Sequence, residues 1–392
     1  MDIFEKFSRD TRAKEYLDAG VYLYFHELQS RQDVEVIMEG KRRIMLGSNN
    51  YLGLTTAPDV LEAAMKALEQ YGTGCSGSRF LNGTLELHLE LERELAEFIG
   101  KPGVLTFSTG FQTNLGIISA VAGHGDYIIC DRENHASIYD GCKLSYAKML
   151  RYRHNDMADL ERCLQHVPEN AGSLIVTDGV FSMGGDIANL PDIVTLARKY
   201  GARVMVDDAH GLGVIGKGGR GTASYFGLDD EVDIIMGTFS KSLASLGGFM
   251  AASEETAWYV RHNSRPFMFS ASIPPSNAAA ALAALRHLRA HPELVDRLAE
   301  IAAYTRSGLT ARGLTVRPSE TPIVPIYTYE PERTLHLAKA LYDAGVYVNS
   351  VLPPATAPNE CLLRVSCMAS MTEPLLDEAM DIMRDVIGAE QR

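Results

Sequence analysis

The chain has 392 residues, about the length of two domains, and its 46% hydrophobic and 22% charged residues describe a folded protein with a substantial core. A net charge of −13 argues against a nucleic-acid backbone as partner, since phosphates call for a basic face. No apolar run reaches the ~18 residues of a membrane span, and no apolar segment follows the charged start "MDIFEKFSRD", so neither a transmembrane helix nor a signal peptide is expected and a cytoplasmic location is.

Residues 1–47 read as an arm, with a helix-like start and then "VEVIMEGKRRIML", which alternates like a hairpin. Residues 48–280 read as a large domain. In it the short apolar runs "VLTF" (104–107), "YIIC" (127–130), "LIVTD" (174–178), "VMVD" (204–207) and "DIIM" (233–236) alternate with helical patterns. In "PDIVTLARKYG" (191–201), Pro191 suits a first turn, Gly201 suits an exit, and Ile193, Leu196, Ala197 and Tyr200 share one face. Such a succession predicts an α/β fold, a mostly parallel central sheet with helices on both faces. Residues 281–392 read as a smaller C-terminal α+β domain: the helical patterns at 277–291 and 333–345 lead to strands "VYVNSV" and "CLLRVS". Cys75, Cys130, Cys142, Cys163, Cys361 and Cys367 show no C-x-x-C pair, so reduced thiols and no metal site are expected.

The stretch "RVMVDDAHGLGVIGKGG" (203–219) offers two chemistries. Gly211, Gly213 and Gly216 spell G-x-G-x-x-G, but "DDAH" separates the strand from the first glycine and "GKGGRG" is a poor helix former. A P-loop fails as well, because glycine at 218 follows Lys217 where Ser or Thr is needed. Asp207 is more informative. It ends an apolar strand at the edge where open α/β sheets bind ligands, with His210 three residues on. A second strand, in "DIIMGTFSKSLASLGG" (233–248), ends in Thr238, Ser240 and Lys241. A lysine there suits a Schiff base, since desolvation lowers its pKa, and the hydroxyls suit a phosphate. Together these residues meet the needs of pyridoxal 5′-phosphate, with Asp207 keeping the pyridine nitrogen protonated. In "FSTGFQTNLG" (107–116) a helix opening near Gly110 and Phe111 offers a phosphate seat, and in "DRENHASIYDG" (131–141) His135 follows a strand where it can stack on the ring.

With "GSNNYLGL" (47–54), "GTGCSGSRFLNGT" (72–84), "TDGVFSMGGDIANL", "RPFMFSASIPP" (265–275), "YVNSVLPPAT" and "CLLRVS", these blocks stand in an order that resembles the α-oxoamine synthases, fold-type I pyridoxal-phosphate enzymes that condense an amino acid with an acyl-CoA. The resemblance covers nearly the whole chain. It implies Lys241 as the Schiff-base lysine, Asp207 on the pyridinium, His210 and Ser182 on the ring oxygen, and His135 stacked on the ring. Gly110, Phe111 and Thr238 are implied for the phosphate, with Ser270 contributed across a homodimer interface. Arg364 is implied for the substrate carboxylate, with Asn50 beside it; an arginine fork pairs a carboxylate with two bonds, and its apolar strand weakens the alternative of a surface ion pair. "VYLYFHELQSRQDVEV" and "YVNSVLPPAT" are most similar to members that take L-serine and palmitoyl-CoA, which implies a decarboxylating Claisen condensation at the head of sphingolipid synthesis and leaves room for peripheral membrane contact. The alternatives are other members, such as 8-amino-7-oxononanoate synthase with alanine and a pimeloyl thioester or the 2-amino-3-ketobutyrate ligases, and a non-catalytic partner subunit, against which Lys241 argues.

Overall fold

A computed structural model describes residues 2–389. Its strands are β1 (Glu35–Met38), β2 (Lys41–Met45), β3 (Gly103–Phe107), β4 (Tyr127–Asp131), β5 (Lys148–Tyr152), β6 (Ser173–Asp178), β7 (Arg203–Asp207), β8 (Ile234–Thr238), β9 (Gly248–Ala252), β10 (Ile323–Tyr329), β11 (Val346–Tyr347), β12 (Asn349–Val351) and β13 (Cys361–Ser366). Seven of them form the central sheet in the order β3-β9-β8-β7-β6-β4-β5. β8, β7, β6, β4 and β5 run parallel, and β9 runs antiparallel to both its neighbours.

Strand residues alternate between two cores, because successive side chains point to opposite faces. Leu105, Ile128, Val176, Met205 and Met236 join one core, and Val104, Ile129, Ile175, Val206 and Ile235 the other. Every apolar run expected as a strand of the large domain's sheet is one, and burial on both faces explains why those runs are nearly continuous. Two strands of the central sheet escape the sequence reading, as does β10 outside it. β5, "KMLRY", lies at the sheet edge and carries charge, while β9, "GFMAA", opens on glycine.

The helix Leu190–Tyr200 follows the expected face, burying Ile193 and Ala197 and ending at Gly201 with φ of 67°. The segment "VYVNSV" behaves less simply. Around the buried Val348 it splits: β11 adds in parallel to β2 of the predicted hairpin β1–β2, while β12 pairs antiparallel with β13, itself paired with β10. The arm is thereby stitched to the C-terminal part of the chain. The helix Pro275–Ala290, with Ala278, Ala281 and Ala284 buried, packs on the helix Pro58–Tyr71. Among the described residues, no helix is long and apolar enough to cross a membrane.

Candidate active site

Parallel strands bring their carboxyl ends to one edge. Asp131 ends β4, Asp178 ends β6, Asp207 ends β7 and Thr238 ends β8. Asp178 and Asp207 stand opposite each other in register. Beyond this edge lies a cavity of about 230 Å³ lined by Gly110, Phe111, Asn114, His135, Asp178, Asp207, His210, Thr238 and Lys241, among others.

Lys241 sits in the turn from β8 to β9. The buried Phe239 anchors that turn, and Ala244 and Ser245 donate backbone bonds to the carbonyls of Lys241 and Phe239. Burial lowers the Lys241 amine to about 8, although Asp207 and Asp178 pull the other way. Asp207, 4% exposed, is held in place: Ala209 N donates to Oδ1 at 3.0 Å and Asn114 Nδ2 donates to Oδ2 at 2.6 Å. Burial first, then the negative charge of Asp207, raises Asp178 well above the usual carboxylate range. Burial holds both histidines low. For His210 the positive charges of Lys241 and Arg364 add to the effect; for His135, Asp207 opposes it. His135 Nδ1 lies 2.7 Å from Ser137 Oγ, which keeps the ring beside the cavity, edge-on to Phe111.

A helix does open at Gly110, where a phosphate seat is expected: it runs Gly110–Val121 and is capped by Thr109, whose hydroxyl accepts from Gln112 N. Gly110, in its first turn, lies against Thr238, whose Oγ1 lies 2.9 Å from Ser240 Oγ. Gly110 is required there, since a Cβ would lie 2.7 Å from Thr238 Oγ1.

Gly211 of the 203–219 stretch, with Gly221 just beyond it, has another purpose. Asp208 is buried and accepts from Thr222 N and Oγ1, both at 2.6 Å, and a Cβ at Gly211 or Gly221 would lie 1.9 Å from its carboxylate. They make room for a structural carboxylate, and burial lifts that group to about 7.

Arg364 lies mid-strand in β13, 4% exposed, between Pro325 and Asn349 of its neighbours. Its Nε donates to the Ser182 carbonyl, Nη1 to Ser366 Oγ at 2.7 Å, and Nη2 to Asn49 Oδ1 at 3.1 Å and Tyr51 Oη at 3.2 Å. Tyr51 Oη in turn lies 2.7 Å from His210 Nδ1, linking the arginine to the cavity wall.

Of the residues expected from the sequence, Lys241, Asp207, His210, His135, Gly110, Phe111 and Thr238 line the cavity. Four stand apart from it. Arg364 joins through Tyr51. Ser182 meets Arg364 through its carbonyl. Ser270 accepts from Gln112 Nε2 at 3.2 Å. Asn50 donates to Thr55 Oγ1 at 2.7 Å; its neighbour Asn49, not Asn50, reaches Arg364. The sequence reading missed Tyr51, Asn114 and Asp178. Asp178 ends an apolar strand as Asp207 does, so the same criterion would have found it, and Asn114 lies one helical turn beyond Gly110.

A phosphorylated pyridine aldehyde fits this site. It has a depressed lysine, a fixed carboxylate, a helix terminus with hydroxyls, and the buried Asn114 Oδ1, which has no hydrogen-bond partner.

Comparison with known proteins agrees. Residues 41–383 match the family model of the class I and II aminotransferases. The chain belongs to that family. Within this aminotransferase family it is 50% identical over 379 residues to a serine palmitoyltransferase of Sphingobacterium spiritivorum, covering 97% of this chain and 95% of the relative. It is 45% identical to 8-amino-7-oxononanoate synthase 1 of Bacillus velezensis over 91% of this chain and 92% of the relative. A solved serine palmitoyltransferase with its pyridoxal-phosphate internal aldimine superposes with a TM-score of 0.96 at 39% identity, covering 99% of both chains. The fold-type I architecture and the likeness to the α-oxoamine synthases, both expected from motif order, are borne out.

Proposed function

We propose that this chain condenses L-serine with a long-chain acyl-CoA, palmitoyl-CoA above all, to a 3-keto amino alcohol, 3-ketosphinganine in the palmitoyl case. The observation that carries this reading is the 50% identity to a serine palmitoyltransferase over 97% of the chain, in a molecule that keeps Lys241 and Asp207 in one cavity. A carbon–carbon bond forms between serine Cα and the acyl carbon. The thioester C–S bond breaks and CoA leaves as its thiol; the serine carboxylate departs as CO2 and a proton takes its place.

Pyridoxal phosphate, when bound, supplies an aldehyde for the amino group and a ring that accepts the electron pair left at Cα. The N-terminus at Gly110 and Phe111, Thr238, and Ser270 from a second subunit would hold its phosphate. His135 would stack on its ring, with His210 and Ser182 near the ring oxygen. Asp207 holds a proton at the ring nitrogen, and Asn114 and Ala209 prevent the carboxylate from turning away. Lys241, with its amine near 8, is suited to take the α-proton and return one after CO2 is lost. Arg364 binds the serine carboxylate and so sets which Cα bond faces the lysine.

The predicted units each contribute: Asn49 and Tyr51 follow the arm (1–47), the large domain (48–280) carries Lys241 and Asp207, and the small domain (281–392) carries Arg364. A homodimer completes the reading. Phe80, Leu81 and Phe269 are 50%, 74% and 75% exposed on segments joined by the Ser78–Ala271 bridge, an apolar patch that a second subunit would cover.

The test offers purified holoenzyme serine, alanine and glycine with palmitoyl-CoA and with a pimeloyl thioester. Serine with palmitoyl-CoA is expected to release CoA and CO2. Turnover of alanine with the pimeloyl thioester, and none of serine with palmitoyl-CoA, would overturn the assignment in favour of 8-amino-7-oxononanoate synthesis.

A further inference from the structure

His154 lies outside the cavity, in the loop between β5 and the helix Met157–Gln165, and no step above uses it. Yet it is tightly held. Nδ1 lies 3.0 Å from Asp131 Oδ1 and Nε2 lies 2.6 Å from Asp186 Oδ2. A neutral imidazole has one N–H, so two carboxylate partners require the imidazolium. Asp131 has no exposure and also accepts from the backbone N–H groups of Glu133 and Asn155, so it is a fixed anchor at the end of β4.

Asp186 belongs to the turn that carries Ser182. Within that turn Phe181 N donates to the Asp186 carbonyl at 2.9 Å and Gly185 N donates to the Phe181 carbonyl at 2.8 Å. The His154 ring stands at 84° to the buried Phe181, 4.3 Å between centroids. Thr321 Oγ1 donates to the Gly185 carbonyl at 2.8 Å, and Arg317 supports Asp186 at 3.4 Å. The turn thus delivers the Ser182 carbonyl to Arg364 Nε. Because a guanidinium is planar, a bond at Nε sets the plane in which its other donors lie.

We propose that His154 is a positioning residue for the amino-acid carboxylate: by tying Asp131 to Asp186 it fixes the turn whose Ser182 carbonyl aims the Arg364 guanidinium. This builds on the reading that Arg364 grips that carboxylate. A histidine that served only to stabilise the fold would affect both substrates and the cofactor alike; one that aims Arg364 affects amino-acid binding and loses its effect once the aiming bond is gone.

The experiment titrates holoenzyme with L-serine, L-alanine and glycine and follows cofactor absorbance, with cofactor affinity and the melting transition measured alongside. His154→Gln is expected to raise the Kd for serine about 10-fold while leaving cofactor affinity within about 2-fold. In an Arg364→Lys background, which lacks Nε–H, the same change is expected to shift the Kd by less than about 2-fold, since mutations acting through one contact are not additive. Asp186→Asn, a gentler change, is expected to give about 3-fold with the same loss in that background. It decides the matter if His154→Gln does not fold. An unchanged Kd in a folded variant, or an equal fold-change in both backgrounds, overturns the proposal. Wild-type enzyme that responds to alanine alone removes serine from the proposed function while His154 is still judged on the alanine Kd. Wild-type enzyme that responds to none of the three amino acids overturns both.

Discussion

The Tyr51 hydroxyl lies 2.7 Å from His210 Nδ1 and 3.2 Å from Arg364 Nη2, so one buried phenol joins the residue proposed for the substrate carboxylate to a wall of the cavity. Burial raises the phenol's pKa, with Arg364 acting in the opposite direction, so Tyr51 remains a neutral hydrogen-bond bridge. Tyr51→Phe removes both bonds and little volume. We expect kcat/KM to fall about 5- to 10-fold, the worth of about one ordinary hydrogen bond, with cofactor affinity unchanged. Steady-state kinetics on the variant decide it; an unaltered kcat/KM removes the bridge from the mechanism.

The lysine prediction concerns pH. With its amine lowered to about 8 by burial, Lys241 in cofactor-free protein should react with pyridoxal phosphate at a rate that rises with pH and levels off above about 8. An ordinary lysine would keep rising towards 10.5. Lys241→Ala should abolish the borohydride-reducible attachment of cofactor, and an attachment that persists in the variant places the reactive amine elsewhere.

Asp207→Asn keeps the shape of the side chain and removes its charge. Cofactor should still bind, while exchange of the amino-acid α-proton with solvent should nearly stop, because a neutral amide cannot hold the ring nitrogen protonated. Exchange followed by NMR in deuterated water checks this, and exchange at the wild-type rate excludes Asp207 from electron withdrawal.

At the proposed phosphate seat, the Cβ introduced by Gly110→Ala would lie 2.7 Å from Thr238 Oγ1 and 3.0 Å from Thr238 Cβ. Such overpacking costs about 1–3 kcal/mol, and here it displaces the helix end from the hydroxyl opposite. Cofactor Kd should rise by about 10-fold or more, measured by fluorescence titration. An unchanged Kd would move the phosphate away from this helix.

His154 makes the stability of the fold depend on pH. Burial lowers its pKa, but bonds to Asp131 and Asp186 more than compensate and carry it to about 10, against 6.5 for a free histidine. The folded-state value is the higher one, so its stabilising contribution is complete below about 6.5, declines between 6.5 and 10, and is absent above about 10. The melting temperature of wild type should therefore fall more steeply across that interval than that of His154→Gln. Parallel slopes would show that the pair of carboxylates does not hold the imidazolium.

Much of this protein was legible in the chain. The runs that became β3, β4, β6, β7 and β8 are apolar on both faces, and only burial between two helical layers makes such runs favourable. Lys241 and Asp207 stood out because each follows such a run, where a charged group is costly without a partner. Asp178 met the same test and was passed over. β5 and β9 gave weaker signals, one charged and at the edge, the other opening on glycine in a stretch that reads as a turn.

What the amino-acid sequence determined by itself was local and periodic: which segments are strands of the central sheet, which helix opens at Gly110, which aspartate ends its strand and which lysine follows one. What only the tertiary structure decided was convergence across long separations. It set Tyr51 between His210 and Arg364, put Asn49 rather than Asn50 on the arginine, and divided "VYVNSV" between two sheets. Hydrogen-bond partners hundreds of residues apart are chosen by strand order and by which backbone groups a neighbouring edge leaves open, and neither is written in the spacing of residues along one strand.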